Sequence, residues 1–346
     1  VFVVLLIALL APSGAVARDH GHRHYLRGLA AAREVSLGKG RGSGQRAHHD
    51  SIVGASRASS ASAAPTSCGL DPVLPTAPVA MSMPGCHLLG SDSSANPNPI
   101  PFWGSLDCGV SALRSEPGRQ QQLVGEGDPH ISPTGVAGDP FYRQLTVLDG
   151  DDFYGERCEL GRNDHNTGPT VFYHEGQHRV TYFSERLPAN FPIDADAWQT
   201  VMQMKQAQPS HDDGSGVALE LQVMNNQWVV ANDWNTIQTF PAKANTWTRF
   251  AWDVYYSQDP SKGWLQVSAD LNGDGDFNDP GERGPVIHTA TLQTEISGPF
   301  NGEDGIPAGD PIPSHLRMGI YHDPSIPCPA PAGCSIDIDN VQVLAP

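Results

Sequence analysis

The sequence has no apolar run long enough to cross a bilayer as a helix. Its one continuous apolar stretch, Val1–Ala11 (VFVVLLIALLA), ends at Pro12, whereas a spanning helix needs about 20 residues. A protein of several membrane helices is therefore excluded. The six cysteines include no C-x-x-C pair, which removes the usual spacing of a zinc site or a redox motif. There is no N-x-S/T sequon, so N-linked glycosylation is not expected. Basic residues are few: 21 Lys and Arg stand against 38 Asp and Glu, a net charge of −17. Long helical periodicity is missing too, which argues against a helical bundle.

What is present divides the chain. Residues 18–123 carry 10 Lys and Arg against 7 Asp and Glu, a balance of +3. Residues 124–346 carry 11 against 31, a balance of −20. So acidic a segment disfavours non-specific nucleic-acid binding, which is mostly phosphate neutralisation. Apolar residues make up 39% of the chain, enough for a core. Val1–Ala11 matches the apolar region of a signal peptide, and Ala15-Val16-Ala17 supplies small residues for cleavage before Arg18. The expected organisation is a signal remnant at 1–17, a low-complexity linker at 18–123 and one folded domain at 124–346. The protein is expected to be secreted, monomeric and free of the membrane once the signal is removed.

The linker contains GKGRGSGQ, ASRASSASAAPTS and SSANPNPIP, which offer too little apolar surface to offset the entropy of ordering. Only the stretch near Phe102-Trp103 and Cys108 is expected to pack on the domain. His20, His22 and His24 read as a solvated basic tail, with metal binding as the sharper alternative. Export favours disulfides. Cys328 and Cys334 frame a short loop and form the expected pair, while Cys68, Cys86, Cys108 and Cys158 leave three connectivities open.

From about Gly125 onward apolar and polar residues alternate between turn residues. Strands are predicted at His178–Leu187, Trp198–Ala207, Val217–Met224, Trp247–Tyr256, Trp264–Asp270, Val286–Leu292, His315–Tyr321 and Ser335–Leu344. So many short antiparallel strands predict an all-β fold, a β-jelly roll or concanavalin-like sandwich of two sheets. Alternation then sorts their faces. In HLRMGIY, Leu316, Met318 and Ile320 point one way and His315, Arg317, Gly319 and Tyr321 the other. Gly319 is expected to leave a gap where a ligand backbone comes close. In VMQMK, Gln203 and Lys205 share a polar face; in RCEL, Arg157 and Glu159 do. The bland reading of each is the polar outer face of a sandwich strand.

DLNGDGDFND (270–279) places Asp270, Asn272, Asp274 and Asp276 at alternate positions with Gly275 at the turn. That is the first half of a calcium loop of the EF-hand type. Position 12 is Gly281, with Glu282 one residue later. Structural Ca2+ is the expectation here, and an empty acidic turn the alternative. No organic cofactor is expected.

GERCEL (155–160), YFSERLPANFP with AWQTVMQMKQ (182–206), NTWTRFAWDVYYSQDPSKGWLQVSADLNGDG (245–275), LRMGIYHD (316–323) and DIDNVQV (337–343) resemble, in this order, polysaccharide lyases. The group is that of the heparin-lyase-like and glucuronan-lyase-like jelly rolls, whose architecture is shared with alginate lyases. The resemblance covers about 140–346. It implies an R-x-E-L strand giving Arg157 and Glu159, and a K-x-G-x-Y strand giving Arg317 in place of Lys, with Gly319 and Tyr321 kept. A Q-x-H strand gives Gln203, with Lys205 at the histidine position.

The reaction so implied is β-elimination on an anionic, uronic-acid-containing polysaccharide, by an endo-acting enzyme. A base takes the C5 proton α to a carboxylate, and the C4–O4 bond breaks. Such a site must neutralise the carboxylate and stabilise the developing enolate. Arg157 and Gln203 have suitable donors. Tyr321 is the expected proton donor and a candidate base, with Arg317 and Lys205 supplying positive field and Lys205 the second candidate base. Glu159, Arg317 and His178 are the expected substrate contacts, and His174 and His178 the reserve bases. Arg157, Arg317 and Lys205 are expected to form a small cationic stripe in an acidic surface, with activity favoured by moderate salt.

Two alternatives differ in kind. A glycoside hydrolase on the same sandwich needs two carboxylates at a set separation, for which Glu159 and Glu220 are available. A carbohydrate-binding or adhesion module without catalysis would use Trp228, Trp234, Trp252 and Trp264 as sugar platforms.

Overall fold

A computed structural model describes residues 87–92, 100–111, 120–129, 141–161, 172–206, 217–232, 234–288, 296–297 and 311–345. All lie within the compact unit Ala64–Pro346. The expected signal segment, His20, His22, His24, Cys68 and Cys86 lie outside the described residues.

Seventeen strands and one short helix follow in order among the described residues. They begin with β1 (His87–Ser91), α1 (Ile100–Trp103), β2 (Ser105–Cys108), β3 (Gln121–Gly125), β4 (Phe141–Val147), β5 (Arg157–Gly161) and β6 (Phe172–Tyr173). Next come β7 (His178–Arg186), β8 (Gln199–Gln206), β9 (Val217–Met224), β10 (Gln227–Asn232), β11 (Asn235–Pro241), β12 (Trp247–Tyr255) and β13 (Trp264–Asp270). The last are β14 (Ile296–Ser297), β15 (Pro311–Ile312), β16 (Ser314–His322) and β17 (Cys334–Ala345). One sheet runs β13-β12-β7-β17-β4-β3 with β1 added on β17; the other runs β11-β10-β9-β8-β16-β5-β2 with β6 on β16. β14 and β15 form a separate two-stranded ribbon. The named strands pair antiparallel throughout, as a jelly-roll sandwich requires.

The core lies between the two sheets. Phe183, Phe250, Trp252 and Ile336 meet Met202, Met204, Leu219, Leu221, Leu316, Met318 and Ile320 there. Trp228 of β10 stands edge-on to Phe250 of β12 at 5.1 Å, joining the layers. In β17 the inward residues change parity, from Ile336 and Ile338 to Val341 and Val343. The register shift between Asp339 and Gln342, with Asn340 at φ 53°, explains this. An inserted residue flips every later side chain to the other face.

The ordered domain begins before the expected boundary at 123/124. β1 pairs with β17, β2 with β5 and β3 with β4. The Arg143 guanidinium donates to both carboxylate oxygens of Asp92, at 2.6 and 2.8 Å, and Trp103 Nε1 donates to the same carboxylate at 2.7 Å. All three side chains are buried, and such a charge-assisted fork fixes the N-terminal strands by direction as well as energy. The Cys328–Cys334 pair is bonded as expected, and among the open pairings Cys108–Cys158 is formed, joining β2 to β5. The described part of Val286–Leu292 is not a strand; Ile287 makes only an isolated bridge to Leu265.

Candidate active site

The second sheet presents its polar face on the side away from the core. On β16, Leu316, Met318 and Ile320 are fully buried in the core, so His315, Arg317, Gly319 and Tyr321 take the opposite face. Its two neighbours are β8 and β5. Register then decides which side chains meet. Tyr321 lies opposite Arg157 on β5 and Thr200 on β8. Arg317 lies opposite Gln203, and His315 opposite Lys205. Glu159 lies between Gly319 and Asp107, and Glu220 lies beside Gln203.

Glu159 is the hub of this face. Gln203 Nε2 donates to its Oε1 at 2.5 Å, Arg157 Nη1 to its Oε2 at 3.4 Å, and Arg317 Nε lies 3.5 Å from that same oxygen. Arg317 Nη2 also pairs with Asp107. The donors expected to greet a substrate carboxylate are thus engaged within the protein. Gln203 orients Glu159, and Arg317 is held by two carboxylates. Glu159 and Asp107 thus offset the charges of Arg157 and Arg317 within the protein.

Tyr321 has different company. The Arg157 guanidinium carbon sits 3.7 Å from the Tyr321 ring centroid, and Arg157 Nη2 donates to the Tyr154 carbonyl at 2.6 Å. Trp198, just before β8, meets the Tyr321 ring edge-on at 4.7 Å. Gly155, at φ 105°, leaves room for the phenol: a Cβ there would stand 2.8 Å from Tyr321 Cε2. Both the backbone angle and the contact favour glycine. Gly319 serves a similar need, but its space is taken by the β5 backbone. A Cβ would stand 2.2 Å from the Cys158 carbonyl oxygen, so the expected gap for a ligand is filled by the protein.

Lys205 is remote from Tyr321. It pairs with His315, six residues from Tyr321 along β16, or about 20 Å at a strand's rise of ~3.3 Å per residue. The charge beside Tyr321 is therefore Arg157, not Lys205 or Arg317. His315 faces the same surface at the Lys205 level; burial, then the charges of Arg317 and Lys205, hold its imidazole well below the ordinary range. His315 is neutral at pH 7 as a result.

Three expected groups fall elsewhere. His178 lies on β7 in the other sheet, with Nε2 2.5 Å from Asp253 Oδ1 and its ring against Trp264 at 4.9 Å. It shares the parity of Val180 and Tyr182, which pack in a small cluster outside the main core, so it faces away from the site. His174 follows β6, which pairs with β16 at Ser314 and His315, the end opposite Tyr321. The acidic loop is occupied with itself. Asp270 accepts from the N–H groups of Gly273 and Gly275 at 2.6 and 2.8 Å, and Glu282 from those of Leu271, Asn272 and Asp279. Asp274 and Asp276 accept from the N–H groups two residues on. Among the described residues no three His, Cys, Asp or Glu side chains are placed to hold a metal ion.

Sequence reasoning missed Asp107, Trp198 and the Tyr154-Gly155 turn. Asp107 lay in a stretch whose composition reads as linker, and Trp198 belongs to the site only through the β8–β16 register. Of the four tryptophans considered as platforms, Trp228 and Trp252 are buried in the core and Trp264 stands by His178, while Trp234 is 42% exposed.

A family model described as polysaccharide lyase matches residues 110–338. Among solved structures, the chain is similar to an endo-β-1,4-glucuronan lyase from the fungus Trichoderma reesei, at 14% identity over 71% of this chain and 96% of that one, TM-score 0.42. It is also similar to a GH131 β-glucanase catalytic domain from Podospora anserina, at 12% identity over 68% and 82%, TM-score 0.39. An alginate lyase from Corynebacterium sp. matches at 12% identity over 58% and 76%, TM-score 0.34. No curated protein matches the chain.

Proposed function

The chain belongs to the polysaccharide lyase family, and on that premise we propose that it cleaves a uronic-acid-containing polysaccharide by β-elimination, with Tyr321 at the reacting atoms. The observation that carries this reading is the guanidinium of Arg157 lying 3.7 Å from the Tyr321 ring centroid on the polar face of a sandwich sheet. A proton-transfer group and a fixed positive charge side by side are what elimination next to a carboxylate requires.

Tyr321 Oη, in its deprotonated form, takes the C5 proton. The C5–H electrons form the C4=C5 double bond, the C4–O4 bond breaks, and O4 leaves with its electron pair. The same phenol then gives its proton to O4, so no water is consumed. Arg157 meets the charge that builds on the uronate carboxylate as C5 loses its proton. Glu159, fixed by Gln203, helps aim that guanidinium, a positioning role. One residue serving both proton transfers needs the C5 hydrogen and O4 on the same side of the ring. Glucuronate and mannuronate have them so, and their C5 epimers do not. Glucuronan and mannuronate-rich alginate are therefore the favoured substrates. The disulfides Cys108–Cys158 and Cys328–Cys334 support an enzyme that works outside the cell.

The test is ultraviolet absorbance of the unsaturated product across glucuronan, alginate, heparin-like and pectic polymers. Absorbance should appear with the first two and vanish in Tyr321→Phe. New reducing ends without absorbance would mean hydrolysis, and near-full activity in Tyr321→Phe would remove Tyr321 from the chemistry.

A further inference from the structure

A domain with a balance of −20 over 124–346 repels a polyanion at long range, and on the polar face Arg157 and Arg317 are already paired with Glu159 and Asp107. Charge alone therefore does little to hold the polymer. Two exposed aromatic rings near Tyr321 offer another source of affinity. Trp234, in the turn between β10 and β11, is 42% exposed, and its ring stands 6.0 Å from that of Trp198, which in turn touches Tyr321. Tyr154, in the turn before β5, is 86% exposed, with Phe153 edge-on beside it at 5.3 Å. The Tyr154 carbonyl holds the guanidinium that covers Tyr321.

These two residues share a second property. Trp234 has φ 64° and Tyr154 φ 54°, in the left-handed region that bulky residues avoid. Glycine would be easier in both turns. Strained backbone conformations cluster at ligand-binding sites, and neither ring contributes to the core. Trp198 precedes β8 and Tyr154 precedes β5, and β8 and β5 are the two neighbours of β16. The two contacts thus approach Tyr321 from its two flanking strands.

We propose that Trp234 and Tyr154 are stacking platforms for pyranose rings of the polymer, one on each side of the bond broken at Tyr321. A pyranose has an apolar C–H face, and an aromatic ring covers it without needing opposite charge. The chain then crosses the strands of the sheet, with at least one sugar bound on either side of Tyr321. Subsites on both sides of Tyr321 suit cleavage inside the polymer, away from its ends. The proposal rests on the reading of Tyr321 given above, and it adds that uncharged stacking does most of the holding.

The experiment uses the full chain carrying Tyr321→Phe, so that binding is measured without turnover. Affinity for glucuronan and for mannuronate-rich alginate is read by affinity electrophoresis and calorimetry, with and without Trp234→Gly or Tyr154→Gly. Each glycine variant should bind roughly tenfold or more weakly, as for a lost aromatic anchor, while its melting temperature stays level or rises. Trp234→Phe and Tyr154→Phe should recover most of the affinity. Binding should also weaken little with added salt. Glycine variants that bind as tightly as Tyr321→Phe alone, or binding that collapses with salt, would overturn the platforms. The two readings fail separately: lyase activity surviving Tyr321→Phe sinks the catalytic assignment, yet the affinity comparison still decides the platforms.

Discussion

The guanidinium of Arg157 covers the face of the Tyr321 ring, with its central carbon 3.7 Å from the ring centroid. The two residues are direct cross-strand partners on β5 and β16, so the contact is set by register and not by a flexible loop. Arg157→Ala should lower kcat by about 10²–10³-fold, the range for losing one preorganised charge donor. Arg157→Lys should not restore it. A lysine cannot both cover the ring and reach the Tyr154 carbonyl and Glu159 as the planar fork does. Steady-state kinetics, with a melting curve to exclude unfolding, decide the matter. A lysine variant with wild-type kcat would show that only charge is needed.

Lys205 gives the opposite expectation. It stands level with His315, six residues along β16 from Tyr321. Lys205→Ala should therefore leave kcat within about threefold of wild type, a change of under ~1 kcal/mol in the barrier. A loss as large as that of Tyr321→Phe would restore Lys205 as a catalytic base and force a different register in solution.

The contrast shows what a single sequence carries. Period two marks a strand with one buried face, and β7, β8, β9, β12, β13, β16 and β17 were all legible from it, within a residue or two at their ends. The split of Leu316, Met318 and Ile320 from Arg317 and Tyr321 was legible for the same reason. Pairing register was not, because it depends on which residues of two distant segments stand opposite each other. That is why the sequence places the charges of Lys205 and Arg317 at Tyr321, when Lys205 stands opposite His315 and Arg317 opposite Gln203. It is also why His178 joined a site on the other sheet. The early strands β1 and β2 hid in Gly-, Ser- and Pro-rich flanks, since their stability comes from β17, β5 and the Asp92–Arg143 pair, not from their own composition.

The acidic loop after β13 yields a prediction about metal. Asp270 and Glu282 accept five N–H bonds from their own loop and from Asp279, so the turn is closed by hydrogen bonding. Melting temperature should be unchanged by a chelator or by millimolar calcium. Asp270→Ala should destabilise by about 1–2 kcal/mol, as for loss of a capping side chain. A calcium-dependent rise in melting temperature would mean that the carboxylates turn from the backbone to the ion.

Glu185 sets a pH dependence of stability. It lies on β7 between Thr248 of β12 and Ile338 of β17, is fully buried, and neither carboxyl oxygen has a hydrogen-bond partner among the described residues. Burial pushes its pKa well above the usual carboxylate value of 4.5. Below that value the group is protonated in the folded and unfolded chain alike, and no ionisation penalty applies. As pH rises above it, the unfolded chain releases the proton while the folded chain keeps it, so stability falls with pH until the folded group also ionises. Glu185→Gln keeps the shape without the titration. It should stabilise the protein at pH 7 by about 1–3 kcal/mol, and the gain should shrink toward zero below about pH 4. Denaturant melts of both proteins across that range measure it, and a gain that does not change with pH would mean that the Glu185 proton is not what the folded core retains.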